Sequence, residues 1–246
     1  MGEQRSSGPD SLCSHSPSIS AEELMRQLAP PPEFEQATFE SYRPDPRFPS
    51  QEQALRSAKQ FATGSKGRMF TRGESAPGVY LDGGFGVGKT HLLASIWHQF
   101  KGKKAFGTFL EYTSIVGFLG FQEAVRRLGE FSLICIDEFE LDDPGDTMIL
   151  SRLLKELSAK GVKFAATSNT PPNALGEGRF AAEDFAREIA GLGERFQVLQ
   201  IDGEDYRHRD PDSHAPVLSM EDLNAWIGSR QGGFLDGFDE LLAHLA

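Results

Sequence analysis

The run Gly83-Gly84-Phe85-Gly86-Val87-Gly88-Lys89-Thr90 fits the pattern G-x-x-x-x-G-K-[ST]. Glycines at these places let a backbone wrap closely around an anion with its N–H groups turned inward. A lysine at the seventh place reaches the outer phosphates of a nucleoside triphosphate, and a hydroxyl at the eighth ligates a divalent cation. The run follows the strand-like Val79-Tyr80-Leu81 and opens a helical stretch near Gly88, the setting this chemistry needs. The helix N-terminus adds a favourable field for the anion. The expectation is ATP held by Gly83, Gly84, Phe85, Gly86, Val87, Gly88, Lys89 and Thr90, with Mg²⁺ on Thr90. The competing reading, a glycine-rich turn with a chance lysine, does not explain the flanking elements.

Two further apolar runs end in polar groups that suit the same reaction. Leu133 to Ile136 reads as a buried strand and runs into Asp137-Glu138. An Asp at such a place completes the Mg²⁺ shell, and the Glu after it is placed to polarise the water attacking the γ-phosphate. A capping pair at the start of a helix is the alternative. Val162 to Thr167 reads as another buried strand, followed by Ser168-Asn169. The amide of Asn169 either holds the attacking water beside Glu138 or caps the turn before Pro171-Pro172. Downstream stand Arg179, Arg187 and Arg195. A ring-forming ATPase needs an arginine that reaches the neighbour's γ-phosphate. Arg195, just before the last strand at Phe196 to Ile201, is the best placed, with Arg179 second. The catalytic set is then Lys89, Glu138, Asn169 and Arg195, with Thr90 and Asp137 on the metal.

The elements that must hold these groups alternate in type. Ala105 to Tyr112 reads as a strand, Thr113 to Leu128 as a helix, and Asp143-Pro144 as an N-cap and first-turn pair. Ile149, Leu150, Leu153, Leu154 and Leu157 form an apolar stripe on the helix that follows. Strands alternating with helices imply an α/β phosphate-loop fold, a mostly parallel sheet flanked by helices, with a small C-terminal helical part. Upstream, Ser20 with Glu23 and Ser50 with Gln53 read as capping boxes that open short helices. Phe39, Tyr42 and Phe48 lie between them and either line a base pocket or pack under the sheet, and Gln51 is placed to bond the base.

The bulk properties limit the alternatives. The chain has 246 residues, 25 Lys+Arg against 36 Asp+Glu, and a formal net charge of −11. That balance opposes coating nucleic acid by bulk charge and leaves room for a local basic patch. Two cysteines, Cys13 and Cys135, make neither a disulfide framework nor a four-ligand zinc site. A reducing compartment, the cytoplasm, is the natural reading. No run approaches the ~20 apolar residues of a membrane span. Residues 1–19 read as a disordered Ser, Gly and Pro-rich tail in which Cys13 and His15 are incidental. Residues 20–75 read as a lead-in segment with short helices, 76–210 as the ATPase core, and 211–246 as a C-terminal helical segment, with an incomplete lid as one reading of it.

The whole set resembles AAA+ ATPases, and more closely the ZapE family, also called lactation-elevated or Afg-like ATPases. Four stretches carry the resemblance: Phe39-x-x-Tyr42-Arg43-Pro44-Asp45-Pro46, Ile136-Asp137-Glu138-Phe139, Thr167-Ser168-Asn169-x-Pro171-Pro172 and Asp205-Tyr206-Arg207. It implies a Mg²⁺-dependent ATPase assembled as a homo-oligomeric ring and acting on a protein client near the division machinery. Gly88-Lys89-Thr90-His91-Leu92-Leu93 and Arg195-Phe196 are also similar to initiators and helicase loaders of the DnaA and DnaC type. That likeness implies a nucleotide switch binding single-stranded DNA. Arg207, Arg209 and Arg230 are candidates for a second sensor arginine. Phe118, Leu119 and Phe121 are pore candidates, with core packing as the competing explanation.

Overall fold

The computed structural model describes residues 20–64, 78–140, 143–171 and 196–206. These form helices α1 (Ala21–Gln27), α2 (Pro49–Thr63), α3 (Lys89–Gln99), α4 (Phe109–Leu119), α5 (Phe121–Leu128) and α6 (Pro144–Ala159), with a 3₁₀ turn at Pro32–Phe34. The strands are β1 (Gly78–Gly83), β2 (Lys104–Thr108), β3 (Leu133–Asp137), β4 (Lys163–Ser168) and β5 (Phe196–Ile201). They make one sheet in the order β2-β3-β4-β1-β5, every pairing parallel.

Burial on both faces explains the apolar runs. All five residues of β3 are buried, as a parallel strand covered on two sides requires. The pleat sends alternate side chains to opposite layers. Ile134 and Ile136 join Tyr80, Phe109, Tyr112, Phe139 and the α4, α5 and α6 side chains on one face. Leu133 and Cys135 join Val79, Leu81 and the α2 and α3 side chains on the other. Each fully buried Leu or Ile contributes roughly 1.5–3 kcal/mol from leaving water. Cys135 is therefore a core residue, its thiol pushed up by burial.

The strand order puts a crevice at the carboxyl ends of β1, β3 and β4. The chain leaves β1 in the middle of the sheet and returns at the far edge as β2, so the connections diverge there, the usual place for a ligand in such sheets. Register sets the depth: Leu81 lies beside Thr167, Asp82 beside Ser168, and Ile136 beside Ala166. The last residues of three strands thus reach one level.

Three local expectations are corrected. The strand expected over Ala105 to Tyr112 stops at Thr108, and Phe109 already belongs to α4. Thr108 and Glu111 form a reciprocal capping box: the Thr108 side chain accepts from Glu111 N, and the Glu111 carboxylate accepts from Thr108 N at 2.6 Å. The single helix expected over Thr113 to Leu128 is two, α4 and α5, broken at Gly120 with φ 77°. Ser50 is not the cap of α2: Phe48 is, with Pro49 in the first turn. Freed from capping, the Ser50 hydroxyl accepts from Asp202 N at 2.9 Å and ties α2 to the end of β5. Asp143 caps α6 as expected, its side chain accepting from Asp146 N at 3.0 Å. Of the pore candidates, Phe118 is exposed, while Leu119 and Phe121 pack against the core.

Candidate functional site

The loop after β1 takes a shape that only glycine permits at two places. Gly88 has φ 89°, and a Cβ there would lie 2.6 Å from the Tyr42 ring. Gly86 has φ 68°, and the Asp205 side chain fills the space a Cβ would need. Tyr42 and the residue after Asp205 clasp the loop: the Tyr42 hydroxyl donates to Val87 O at 3.0 Å, and Tyr206 N donates to Gly86 O at 2.8 Å.

Lys89 opens α3 and bends back over this loop. Its Nζ donates to Gly83 O at 2.8 Å, Gly84 O at 2.6 Å and Asn169 Oδ1 at 2.8 Å. Burial pulls the ammonium below its ordinary pKa, against the opposing pull of Asp137, Asp82 and Glu140. One residue on, the Thr90 hydroxyl donates to Asp137 Oδ1 at 3.1 Å. The Thr167 hydroxyl reaches the same oxygen at 2.5 Å. Burial raises the Asp137 carboxyl, and the Thr167 and Thr90 hydroxyls, the Glu138 N–H and Lys89 pull it back down. The Thr90 and Asp137 oxygens are hard donors on one side of the cleft, a set that suits Mg²⁺ and would hold it through one hydroxyl and one carboxylate.

Glu138 lies just outside. It is exposed, and its φ of 53° is the one left-handed value among the described non-glycine residues. Such a conformation costs about 1–3 kcal/mol and persists only where neighbours enforce it. Here Phe139 returns to the core, fully buried and edge-on to Tyr80 and Phe109. Phe139 N donates to Thr167 O at 2.7 Å, and Glu138 N donates to Thr167 Oγ1 at 3.0 Å. The turn thus pins Glu138 at the cleft mouth and starts no helix. Asn169 sits opposite on the exit of β4, its side chain on Lys89, which is more than a turn cap does.

Together these groups line a cleft of about 590 Å³ whose rim includes Tyr42, Arg43, Phe85 and Tyr206. It joins a cation, a buried carboxylate with two hydroxyls, an exposed carboxylate and an amide, the parts that phosphoryl transfer to water uses. Two side chains read from sequence have other duties. Phe39 is in the core. Gln51 is buried, its amide accepting from Asp45 N and donating to Asp202 O, both at 2.8 Å, so it braces the lead-in segment against β5 and is no free base ligand. Thr167 and Glu140 were not singled out in the sequence. Glu140 accepts from Ser168 Oγ and Asn169 N at 3.0 Å and from Thr170 Oγ1 at 3.1 Å. Thr167 shows only as the polar end of an apolar strand within a stretch that carries the family resemblance, and Glu140 has no sign beyond following Asp137-Glu138-Phe139. Arg179, Arg187, Arg195, Arg207, Arg209, Arg230, Cys13, His15 and the 211–246 segment lie outside the described residues. Among the described residues no helix is long and apolar enough to cross a membrane.

Comparison with known proteins converges on one family. The model of the AFG1-like ATPase family matches residues 18–229. Cell division protein ZapE of Escherichia coli (strain K12) is 32% identical over 154 residues, 58% of this chain and 41% of that one. Lactation elevated protein 1 homolog B of Danio rerio is 31% identical over 161 residues, 54% of this chain and 31% of that one. The chain therefore spans well under half the length of these relatives. Domain III of the Thermotoga maritima replication initiation protein DnaA superposes with a TM-score of 0.55 at 19% identity, over 70% of this chain and 68% of that one. That likeness is one of fold.

Proposed function

The chain belongs to the AFG1-like ATPase family, and from that premise we propose that it binds ATP with Mg²⁺ in the cleft, hydrolyses it and uses the cycle to act on a protein partner. The observation that carries this reading is the continuous network from the loop lysine through Asn169 to Glu140, beside Thr90 and Thr167 on Asp137.

Each residue has a role that follows from its place. The loop backbone, Gly83 through Gly88, encloses the phosphates, and the Lys89 ammonium moves its hydrogen bonds from the loop carbonyls to phosphate oxygens. Thr90 and Asp137 would hold Mg²⁺, which when bound neutralises phosphate charge and polarises the phosphoryl oxygens. Thr167 keeps Asp137 ionised by donating to it. Glu138, held outward by the left-handed turn, takes the proton of the attacking water as general base. Asn169 orients that water. Arg195 of an adjacent copy in a homo-oligomeric ring supplies the remaining cation, with Arg179 and Arg187 as the alternatives.

The client is a protein of the division machinery, a reading supported by the name of the Escherichia coli relative, and the site of action is the cytoplasm. The net charge of −11 weighs against single-stranded DNA as the partner. Steady-state ATPase assays with and without single-stranded DNA, together with nucleotide binding by Lys89→Ala, test the proposal. The expected result is Mg²⁺-dependent turnover indifferent to DNA, and ATP binding lost in a folded Lys89→Ala protein. Unchanged nucleotide affinity in that variant overturns the site assignment. Strong, salt-sensitive stimulation by DNA overturns the choice of partner.

A further inference from the structure

Glu140 lies beyond the Asp137-Glu138 pair and has no chemical step assigned to it above, yet three donors hold its carboxylate. The chain reverses at Glu138, Glu140 N donates to Glu138 O at 2.8 Å, and the carboxylate comes to rest against the exit of β4. There it takes donors from three consecutive residues. Oε1 accepts from Ser168 Oγ and from Asn169 N, each at 3.0 Å, and Oε2 accepts from Thr170 Oγ1 at 3.1 Å. The same corner is closed by Thr170 N on Ser168 Oγ at 2.9 Å and by the Tyr80 hydroxyl on Thr170 O at 2.8 Å. Three donors around one side chain suit a carboxylate, whose two oxygens can share them.

The residue at the centre of this clamp is Asn169, whose side chain meets Lys89 Nζ at 2.8 Å. Its backbone is thus fixed from behind while its amide faces the cleft. We infer that Glu140 is a positioning residue for hydrolysis: it locks the exit of β4 so that Asn169 is held at the reacting end of the cleft, which Glu138 also lines. The inference rests on the role given to Asn169 above. Glu140 does not line the cleft, whereas Asn169 does, so it acts through Asn169.

A double-mutant cycle on the full chain tests this, with kcat and ATP affinity measured for Glu140→Ala, Asn169→Ala and the pair. Displacing a reacting group by ~1 Å can cost ~10²-fold in rate. Glu140→Ala is therefore expected to lower kcat about 10- to 100-fold while the Kd for ATP stays within about threefold. Residues acting through one another are non-additive, so the double variant should be no more than about twofold slower than Asn169→Ala alone. Glu140→Gln keeps an acceptor for Ser168 and Asn169, and the Thr170 hydroxyl can turn to accept, so this variant should recover most of the rate. Glu140→Asp keeps the charge but withdraws it by one methylene, and enters the same cycle if Glu140→Ala does not fold. A merely structural acid would move kcat and Kd together, would shift thermal stability in step with them, and would show multiplying effects. That pattern, or wild-type kcat in both Glu140→Ala and Glu140→Asp, overturns the inference. Should Asn169→Ala alone turn over at the wild-type rate, the role of Asn169 falls as well. A slow Asn169→Ala with a normal Glu140→Ala removes only Glu140.

Discussion

Replacing Thr167 by Val removes one hydroxyl and little else, and the structure assigns that hydroxyl two bonds. It donates to Asp137 Oδ1 at 2.5 Å and accepts from Glu138 N at 3.0 Å. Thr167 is 2% exposed and Asp137 is 8% exposed, so water cannot readily take its place. A hydrogen bond to a charged group contributes about 1.5–3 kcal/mol, and an ordinary backbone bond about 1 kcal/mol. The sum for Thr167→Val is about 3 kcal/mol, with no cavity to add. For a domain of this size, each kcal/mol moves Tm by roughly 2–4 °C, which gives a fall of about 6–12 °C at pH 7.5.

The pH dependence has a defined sign. Burial raises the Asp137 carboxyl, and the Thr167 hydroxyl is the first of the groups that pull it back down. Without the hydroxyl, the folded-state pKa climbs further above the unfolded value of about 3.9. A raised folded pKa means that protonation favours the fold, so the penalty is complete at pH values above the variant's pKa and shrinks as pH falls through it. Thermal melts of the two proteins from pH 8 down to pH 5 read this directly. A gap of less than about 2 °C at pH 7.5, or one that widens on acidification, refutes the view that Thr167 keeps Asp137 ionised.

Asp137→Asn should stabilise the protein at neutral pH while abolishing Mg²⁺-dependent turnover, because it removes a buried charge yet leaves an oxygen to accept from Thr90 and Thr167; its Tm advantage is present above the raised Asp137 pKa and closes as pH falls toward about 4. Gly86→Ala forces a Cβ into the Asp205 carboxylate at a φ of 68°; left-handed strain and overlap together cost about 2–4 kcal/mol, so melts should show a loss of about 4–16 °C and titration a weaker grip on ATP. Arg195→Ala should lose most hydrolysis without losing ATP binding, on the scale of 10³–10⁵ known for arginine fingers, as about the largest effect expected. Mixing it with Glu138→Gln should restore part of the rate, whereas concentration-independent turnover and a fully active Arg195→Ala would exclude a shared site.

Local and contiguous features were legible in the sequence. The glycine-rich loop after β1, the Asp137-Glu138 end of β3 and the Asp143 cap all depend on neighbours within one turn of chain. The β2–α4 junction was equally local: Thr108-x-x-Glu111 is a capping box, but the apolar Phe109-Leu110 continued the strand pattern and concealed it. The particular bonds of Thr167, Glu140 and Tyr42 were not legible for a different reason, although Thr167 and Tyr42 lie in stretches that carry the family resemblance. Their roles arise from register and from chain reversal, which bring β4 beside β3 and the lead-in segment beneath the loop. Gln51 shows the converse, a polar side chain whose partners 6 and 151 positions away leave its amide engaged at both ends.

If Glu138 is the general base at the mouth of an ATP site built from Lys89, Thr90 and Asp137, ATP affinity and turnover of Glu138→Gln, measured in parallel, must part company. The expected result is wild-type ATP binding with hydrolysis slowed by about a hundredfold or more, the scale of losing a positioned base. Turnover near the wild-type rate with ATP bound as tightly would remove Glu138 from this role and move the base elsewhere.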